Sequence, residues 1–412
     1  MNSLGLIELV SQVGAFFSFL FQWFPLWGPI ILISIFWNEW MYYIQADFRA
    51  KMEWVLLEIK LPKEIQKTPL AMEIALGALY QSSAGEWHDK YWHGKVKDWF
   101  SLEMVSIEGH VKFFVRCIKK YKNLIETQFY AQYPDIEIFE VPDYTRYIDF
   151  KGMKGEWDVF GSEYKLTKAD PLPIRTYVDY GLDRQEVEEE FKIDPLTSII
   201  EYLGSMGKDE QFWIQILVRA SGDDWKKEGA ELVKEMAGRN KKSKDDKAPP
   251  PILTKGESQA VENIERHMGK LGFDCGIRAL YVAKKEKFSY GNIAPLLGLL
   301  KPFSNSNANG FKPTGHTIGF DFPWQKYYSF DRFVLIPEFF TDGMAHINQN
   351  RKEQFEAYKH RSWFYPPHPR KSFLLTSEEL ATIFHFPGGV AQTPTFGRIP
   401  SKKSEAPINL PI

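Results

Sequence analysis

Nowhere in the 412 residues does a G-x-x-x-x-G-K-[ST] stretch occur. Without it the backbone cannot cradle nucleotide phosphates in the P-loop manner, and the pairs Gly152/Gly155 and Gly269/Gly272 lack the strand–loop–helix frame that would replace it. Charge of one sign is missing too. The 51 basic and 53 acidic side chains leave a net charge of −2, so there is no global electrostatic case for direct nucleic-acid binding. Cysteine is scarce: Cys117 and Cys275 both lie inside apolar, strand-like runs, and two such thiols build neither a disulfide framework nor a zinc site. No Ser/His/Asp or Cys/His set declares itself. The sequence therefore names no catalytic residue, no cofactor and no metal ligand, and it reads as non-enzymatic.

Aromatic residues, by contrast, are plentiful at 16 % of the chain, including 13 Trp and 32 Phe. Residues 9–37 carry no charge and are bounded by Glu8 and Glu39. The reading is an apolar helix over 4–24, a break at Pro25, Gly28 and Pro29, and a second helix over 30–48. Trp23, Trp27, Trp37, Trp40, Tyr42 and Tyr43 would act as interfacial anchors. A span needs about 20 apolar residues, so residues 1–51 are expected to form an N-terminal membrane anchor. Residues 1–8 contain no Lys or Arg, which disfavours a signal peptide. Arg49 and Lys51 follow the apolar run, and the positive-inside bias puts the bulk of the chain in the cytoplasm, at an inner membrane.

The remainder reads as α+β. Residues 52–147 give the order βαββαβ: a strand at 54–59, a helix at 69–80, a hairpin turning at Glu108-Gly109, a helix at 119–130 and a strand at 136–141. That order predicts a ferredoxin-like unit, one antiparallel sheet with two helices on one face. Residues 148–194 read as a small β-rich connector. Residues 195–371 predict a second ferredoxin-like unit, interrupted at 239–251 (RNKKSKDDKAPPP) by a charged, proline-rich linker. Residues 330–340 read as a strand. The final segment, 372–412, begins with the strand Phe373-Leu374-Leu375. A helix over 378–384 follows, started by Thr376 or Ser377 ahead of Glu379 in a capping-box pattern. An extended strap comes after Pro387.

Four constellations invite chemistry, and each has a plainer reading. His88, Asp89 and His93 could suggest a metal, but their spacing is not that of a helical zinc pair and no third ligand is placed. His360, Arg361, Trp363, Phe364, Tyr365, His368, Arg370 and Lys371 mix cations and aromatics as a single-strand DNA platform does. A strap packed against a neighbouring domain fits them better. Asp223 and Asp224 suit a helix cap, and the mixed-sign run 241–247 a solvated linker.

The phrases TSEELATIFHFP, TP, RI-x-SKK and APINLP at the C-terminal end resemble the segment ahead of the motor domain in conjugation-type (type IV secretion) DNA-translocating ATPases of the coupling-protein kind. LEIKLP, PLAMEIALGAL and SLEMVSIEG resemble that family's first soluble domain. The resemblance implies a membrane-anchored, non-catalytic platform. Its partners would be a P-loop ATPase motor, on another chain or cut off here, and the inner membrane. It could also form a homo-oligomer and would meet DNA only indirectly. A membrane-anchored protein-interaction scaffold unrelated to DNA is the second expectation. For the native protein, limited proteolysis should cut first within residues 239–251; resistance there would mean that the segment is packed.

Overall fold

The computed structural model describes residues 18–19, 22–62, 65, 67–83, 85–152, 155–183, 193–236, 254–305, 308–315, 317 and 343–388. Residues 4–17, 20 and 21 of the helix expected over 4–24, the linker 239–251, the apolar run 330–340 and the strap from residue 389 lie outside the described residues.

In chain order the elements are α1 (Phe24–Ala50), β1 (Trp54–Lys60), α2 (Pro69–Leu76), α3 (Trp87–Tyr91), β2 (Trp99–Ile107), β3 (His110–Ile118), α4 (Lys122–Gln132), β4 (Glu137–Val141) and β5 (Trp157–Leu166). There follow α5 (Pro195–Gly204), β6 (Glu210–Ala220), α6 (Asp224–Met236), α7 (Lys255–Met268), β7 (Gly272–Lys284), α8 (Ile293–Leu297), β8 (Phe311–Thr314), α9 (Gly343–Lys359), β9 (Phe373–Thr376) and α10 (Ser377–Ile383). They divide into two compact units, Met1–Met52 with Ser83–Val96, and Glu53–Ser82 with Lys97–Ile412.

The smaller unit is α1 with the α3 segment laid along it. Trp40 Nε1 donates to the Tyr91 carbonyl at 3.3 Å, and the rings of Trp37 and Tyr91 lie 5.7 Å apart. Gly94, at φ +67°, lets the backbone pass against the Ile44 carbonyl, where a Cβ would collide. Two expectations are corrected here. Helix α1 runs unbroken through Pro25 and Pro29; Pro25 sits in its first turn, where the missing N–H costs no hydrogen bond. Among the described residues, no helix is long and apolar enough to cross a membrane. The uncharged part of α1 extends only from Phe24 to Asn38 before Glu39, Asp47 and Arg49 intervene, short of the about 20 residues a span requires. The transmembrane anchor, and the inner-membrane location built on it, are therefore withdrawn.

The larger unit holds a nine-stranded sheet in the order β4-β1-β3-β2-β6-β7-β5-β8, with β9 added to β7. All its pairings are antiparallel. Glu108 and Gly109, both at positive φ, make the tight turn between β2 and β3. The long strand β7 takes two partners end to end on one edge: β5 opposite residues 277–284 and β9 opposite residues 272–275. The expectation of two separate ferredoxin-like units is overturned. Strand β2 pairs with β6 along its whole length, from Trp99 opposite Arg219 to Ile107 opposite Gln211, so the predicted units share one sheet.

Both sheet faces are covered. One carries the main core, including Phe100, Leu102, Phe113, Val115, Ile214 and Ile216. On the other, a row of polar residues crosses the strands in register: Glu103 opposite Gln215, Gln215 opposite Arg278, Arg278 opposite Glu163. Glu103 and Gln215 are fully buried and Arg278 almost so. Buried polar groups need partners, and residues 358–370 supply several of them, while Gln215 Oε1 and Arg278 Nε and Nη1 have no hydrogen-bond partner among the described residues. Arg361 grips Glu103 with two bonds, 2.9 Å to Oε1 and 3.1 Å to Oε2, and also binds Asp143. The Tyr358 carbonyl accepts from Gln215 at 3.2 Å, and the Ser362 carbonyl accepts from Arg278 at 2.6 Å. Arg370 reaches Glu163 at 3.2 Å. Trp363 lies flat on Gly276, where a side chain would collide with its ring.

Burial opposes the charge on Glu103, yet the Arg361 guanidinium, with Ser101 and Tyr144, holds its pKa below the ordinary carboxylate value. Burial and Arg361 together push the neighbouring Arg116 down to about 9. Removing one member of such a pair strands a charge. Arg361→Met should cost about 3–5 kcal/mol in urea unfolding, with part of the loss recovered in the Glu103→Gln/Arg361→Met double variant. Equal losses in the single and double variants would show that the pair is not coupled.

Candidate functional site

The most heavily built local arrangement in the larger unit surrounds its last described segment. Thr376 is the N-cap of α10: its hydroxyl accepts from the Glu379 amide, and the Glu379 carboxylate accepts from the Thr376 amide at 2.8 Å. Every residue of this helix is buried, its two glutamates included. A seven-residue helix could not persist alone in water. It is held by β9, which pairs antiparallel with β7, and by packing against α2.

The glutamates and serine of α10 are met by side chains from α2, α7 and the loops around them. Glu73 of α2 is saturated: Lys270 donates to Oε1 at 2.8 Å, Ser377 to Oε1 at 3.0 Å, and Tyr177 to Oε2 at 2.7 Å. Glu379 accepts from the Ile174 amide at 2.9 Å. Glu378 lies 3.1 Å from Arg266 Nη2, 3.6 Å from His267 Nε2 and 3.8 Å from Lys270 Nζ. His267, buried at the end of α7, also meets Thr376 Oγ1 through Nδ1 at 3.1 Å. Beyond the helix, His385 Nε2 is 3.1 Å from Asp194, while the Phe386 ring packs among Phe113, Phe129 and Tyr133.

The electrostatics follow from this geometry. Burial disfavours a charged His267, but the carboxylates of Glu378 and Glu379 outweigh it and raise its pKa to about 9. Burial likewise opposes ionised Glu378, and His267, Thr176 and Arg266 bring it down to about 2. The same opposition raises His385 and lowers Asp194. His385 and Asp194 pair with each other, whereas the Glu378 carboxylate, His267 Nε2 and Arg266 Nη2 are held by charge proximity without a hydrogen bond among the described residues; together these contacts clasp a chain segment.

The residues singled out in the sequence lie elsewhere. The rings of His88 and His93 are 4.9 Å apart on the smaller unit, where Asp89 serves the α3 capping box. Among the described residues, no group of three or more His, Cys, Asp or Glu could hold a metal ion. Asp223 and Asp224 pair with Lys226 and Lys227. Arg361, Trp363 and Arg370 belong to the polar row, and the exposed His360 faces Glu356 at 3.3 Å. Cys117 and Cys275 are buried and unbonded to each other. Run 241–247 lies outside the described residues. Sequence reasoning found Thr376 and Glu379 through their spacing but missed Glu73, His267, Lys270 and Asp194, which sit far from them in sequence and carry no motif.

Comparison with known proteins places residues 47–318 in the family described as a domain of unknown function (DUF8128). No curated protein matches the chain. That description names no activity, and nothing in it supports type IV secretion or conjugation.

The clasp yields a pH expectation. A His whose folded pKa is raised stabilises fully below its unfolded value, near 6.5, and loses that contribution as pH climbs through about 9. The stability gap between the native chain and His267→Gln should reach up to about 3 kcal/mol at pH 6 and shrink toward pH 9.5, read from thermal or urea unfolding. A gap independent of pH would mean that the ring is uncharged in the fold.

Proposed function

Since the protein belongs to the DUF8128 family, which carries no assigned activity, we propose its role from its own geometry. It is a non-catalytic docking platform that grips residues 373–387 and offers the chain beyond them to a P-loop ATPase partner. The observation that carries this reading is the clasp. Strand pairing, a buried capping box, two His–carboxylate contacts and an aromatic socket all hold one short segment. Such an anchor suits a segment that must transmit load without pulling free. The class of partner, a DNA-translocating motor, comes from the resemblance of the terminal phrases, and DNA would be met through that partner.

A second reading, an interaction scaffold unrelated to DNA, is favoured by charge. The lysines near α4 are matched by carboxylates, Lys119 with Glu53, Lys120 with Asp98 and Lys122 with Glu140, so these three side chains offer no unmatched basic cluster to a phosphate backbone.

Affinity purification of the full chain from its native cells, with co-purifying proteins identified by mass spectrometry, separates the two. A stoichiometric P-loop protein should be retained by the full chain and lost when residues 389–412 are removed, a truncation that spares the clasp. Recovery of non-ATPase partners alone would leave the scaffold reading in place of the first.

A further inference from the structure

We propose that the part of the larger unit inside the family match is a receptor for a peptide segment, and that residues 343–388 are its ligand, carried on the same chain. The proposal shares the clasp with the reading above but needs no motor partner.

The family match ends at residue 318, whereas the segment that covers the sheet begins at residue 343. What the match contains is already a sheet. Strands β1 to β8 pair with one another, and the core residues Phe100, Leu102, Phe113 and Ile214 come from strands inside it. Residues 343–388 add to this body in the manner of a bound peptide. Residues 358–370 cross the polar face, β9 takes the stretch of the β7 edge that β5 leaves free, and α10 ends the segment against α2. Strand addition with side chains seated in pockets is a recurring mode of peptide recognition. Six rings of the segment, Phe355, Tyr358, Trp363, Phe373, Phe384 and Phe386, are buried, and each meets a residue inside the match. At about 150 Å² or more apiece, they supply the about 800 Å² that one partner contributes to a standard interface.

The chemistry of the covered face separates a docking surface from an ordinary core. Its middle row is Glu103, Gln215, Arg278 and Glu163, groups that water solvates well, so the face can stand uncovered. The cover fits this row imperfectly. Gln215 Oε1, Arg278 Nε and Nη1, and the Trp363 indole N–H have no hydrogen-bond partner among the described residues. Each of these groups gives up bonds to water when the segment docks, a penalty that favours release. The buried rings and the Arg361 grip on Glu103 oppose it. In the intact chain the covalent connection keeps the segment at high local concentration, so a released segment rebinds the same face.

The test uses the full chain with a flexible insert, placed between residues 329 and 330, that carries the cutting sequence of a specific protease. After cleavage, confirmed as complete on a denaturing gel, the two pieces should leave a sizing column together. A fluorescent synthetic peptide of residues 343–388, added in excess, should then replace the resident fragment, read as a rise in anisotropy with the far-ultraviolet dichroism unchanged. The same peptide carrying Arg361→Met should bind about tenfold or more weakly. Pieces that part on cleavage would overturn the proposal. Uptake of peptide only at urea concentrations that unfold the chain would do the same, as would equal uptake of the two peptides. Exchange requires no P-loop protein, so its failure and that of the purification above are read separately.

Discussion

The grip of Arg361 on Glu103 is the interaction on which the larger unit depends. A carboxylate in the middle of a sheet, fully buried, is tolerable only with a charged donor beside it. The donor comes from a stretch that lies across the strands, and the same stretch must also satisfy Gln215, Arg278 and Glu163 in passing. Satisfying one row thus fixes the path of residues 358–370, puts Trp363 on Gly276, and closes the second face of the sheet. The α9 aromatics follow, with Phe355 and Tyr358 against Trp213.

The clasp around α10 repeats this logic on a smaller scale. In both places buried ions come from segments far apart in the chain, and in both they specify one arrangement more than they stabilise it. An apolar replacement of matched shape often folds at least as tightly. What ions provide is discrimination: a shift of β2 by one residue would turn Glu103 to the other face, away from Arg361, and a displaced α10 would leave Glu73 without Ser377. A platform that holds a neighbour in a fixed attitude needs that kind of uniqueness.

Local features were legible in the sequence where they rest on local physics. The capping box at Thr376 and Glu379, the turn at Glu108-Gly109 and the strands β1 to β4 and β9 follow from spacing and turn chemistry. The sheet did not, and the reason lies in residues such as Ser101, Glu103 and Gln215. Their alternation with apolar neighbours signals a strand with one wet face, which suggests two small sandwiches. In the fold that face is dry, because polar partners more than a hundred residues away cover it. Alternation reports polarity, and polarity equals exposure only when no internal partner exists. The N-terminal stretch misleads in another way: aromatic richness and a lack of charge resemble a span, while Glu39, Asp47 and Arg49 stand on the same continuous helix. His267 and Glu73 were invisible because their significance is purely spatial.

The order in which the chain leaves the ribosome meets the polar row awkwardly. Glu103 is separated from Arg361 by 258 positions. At a synthesis rate of about 5–20 residues per second, the carboxylate would wait on the order of 10–50 s for its guanidinium. During that interval β2 and β6 can pair, but their second face cannot dry, since closing it would trap an uncompensated charge. The nascent sheet is therefore obliged to stay half open, with its future interior hydrated, until Arg361 has been made. Completion of the core is in this sense timed by synthesis of residues 358–370.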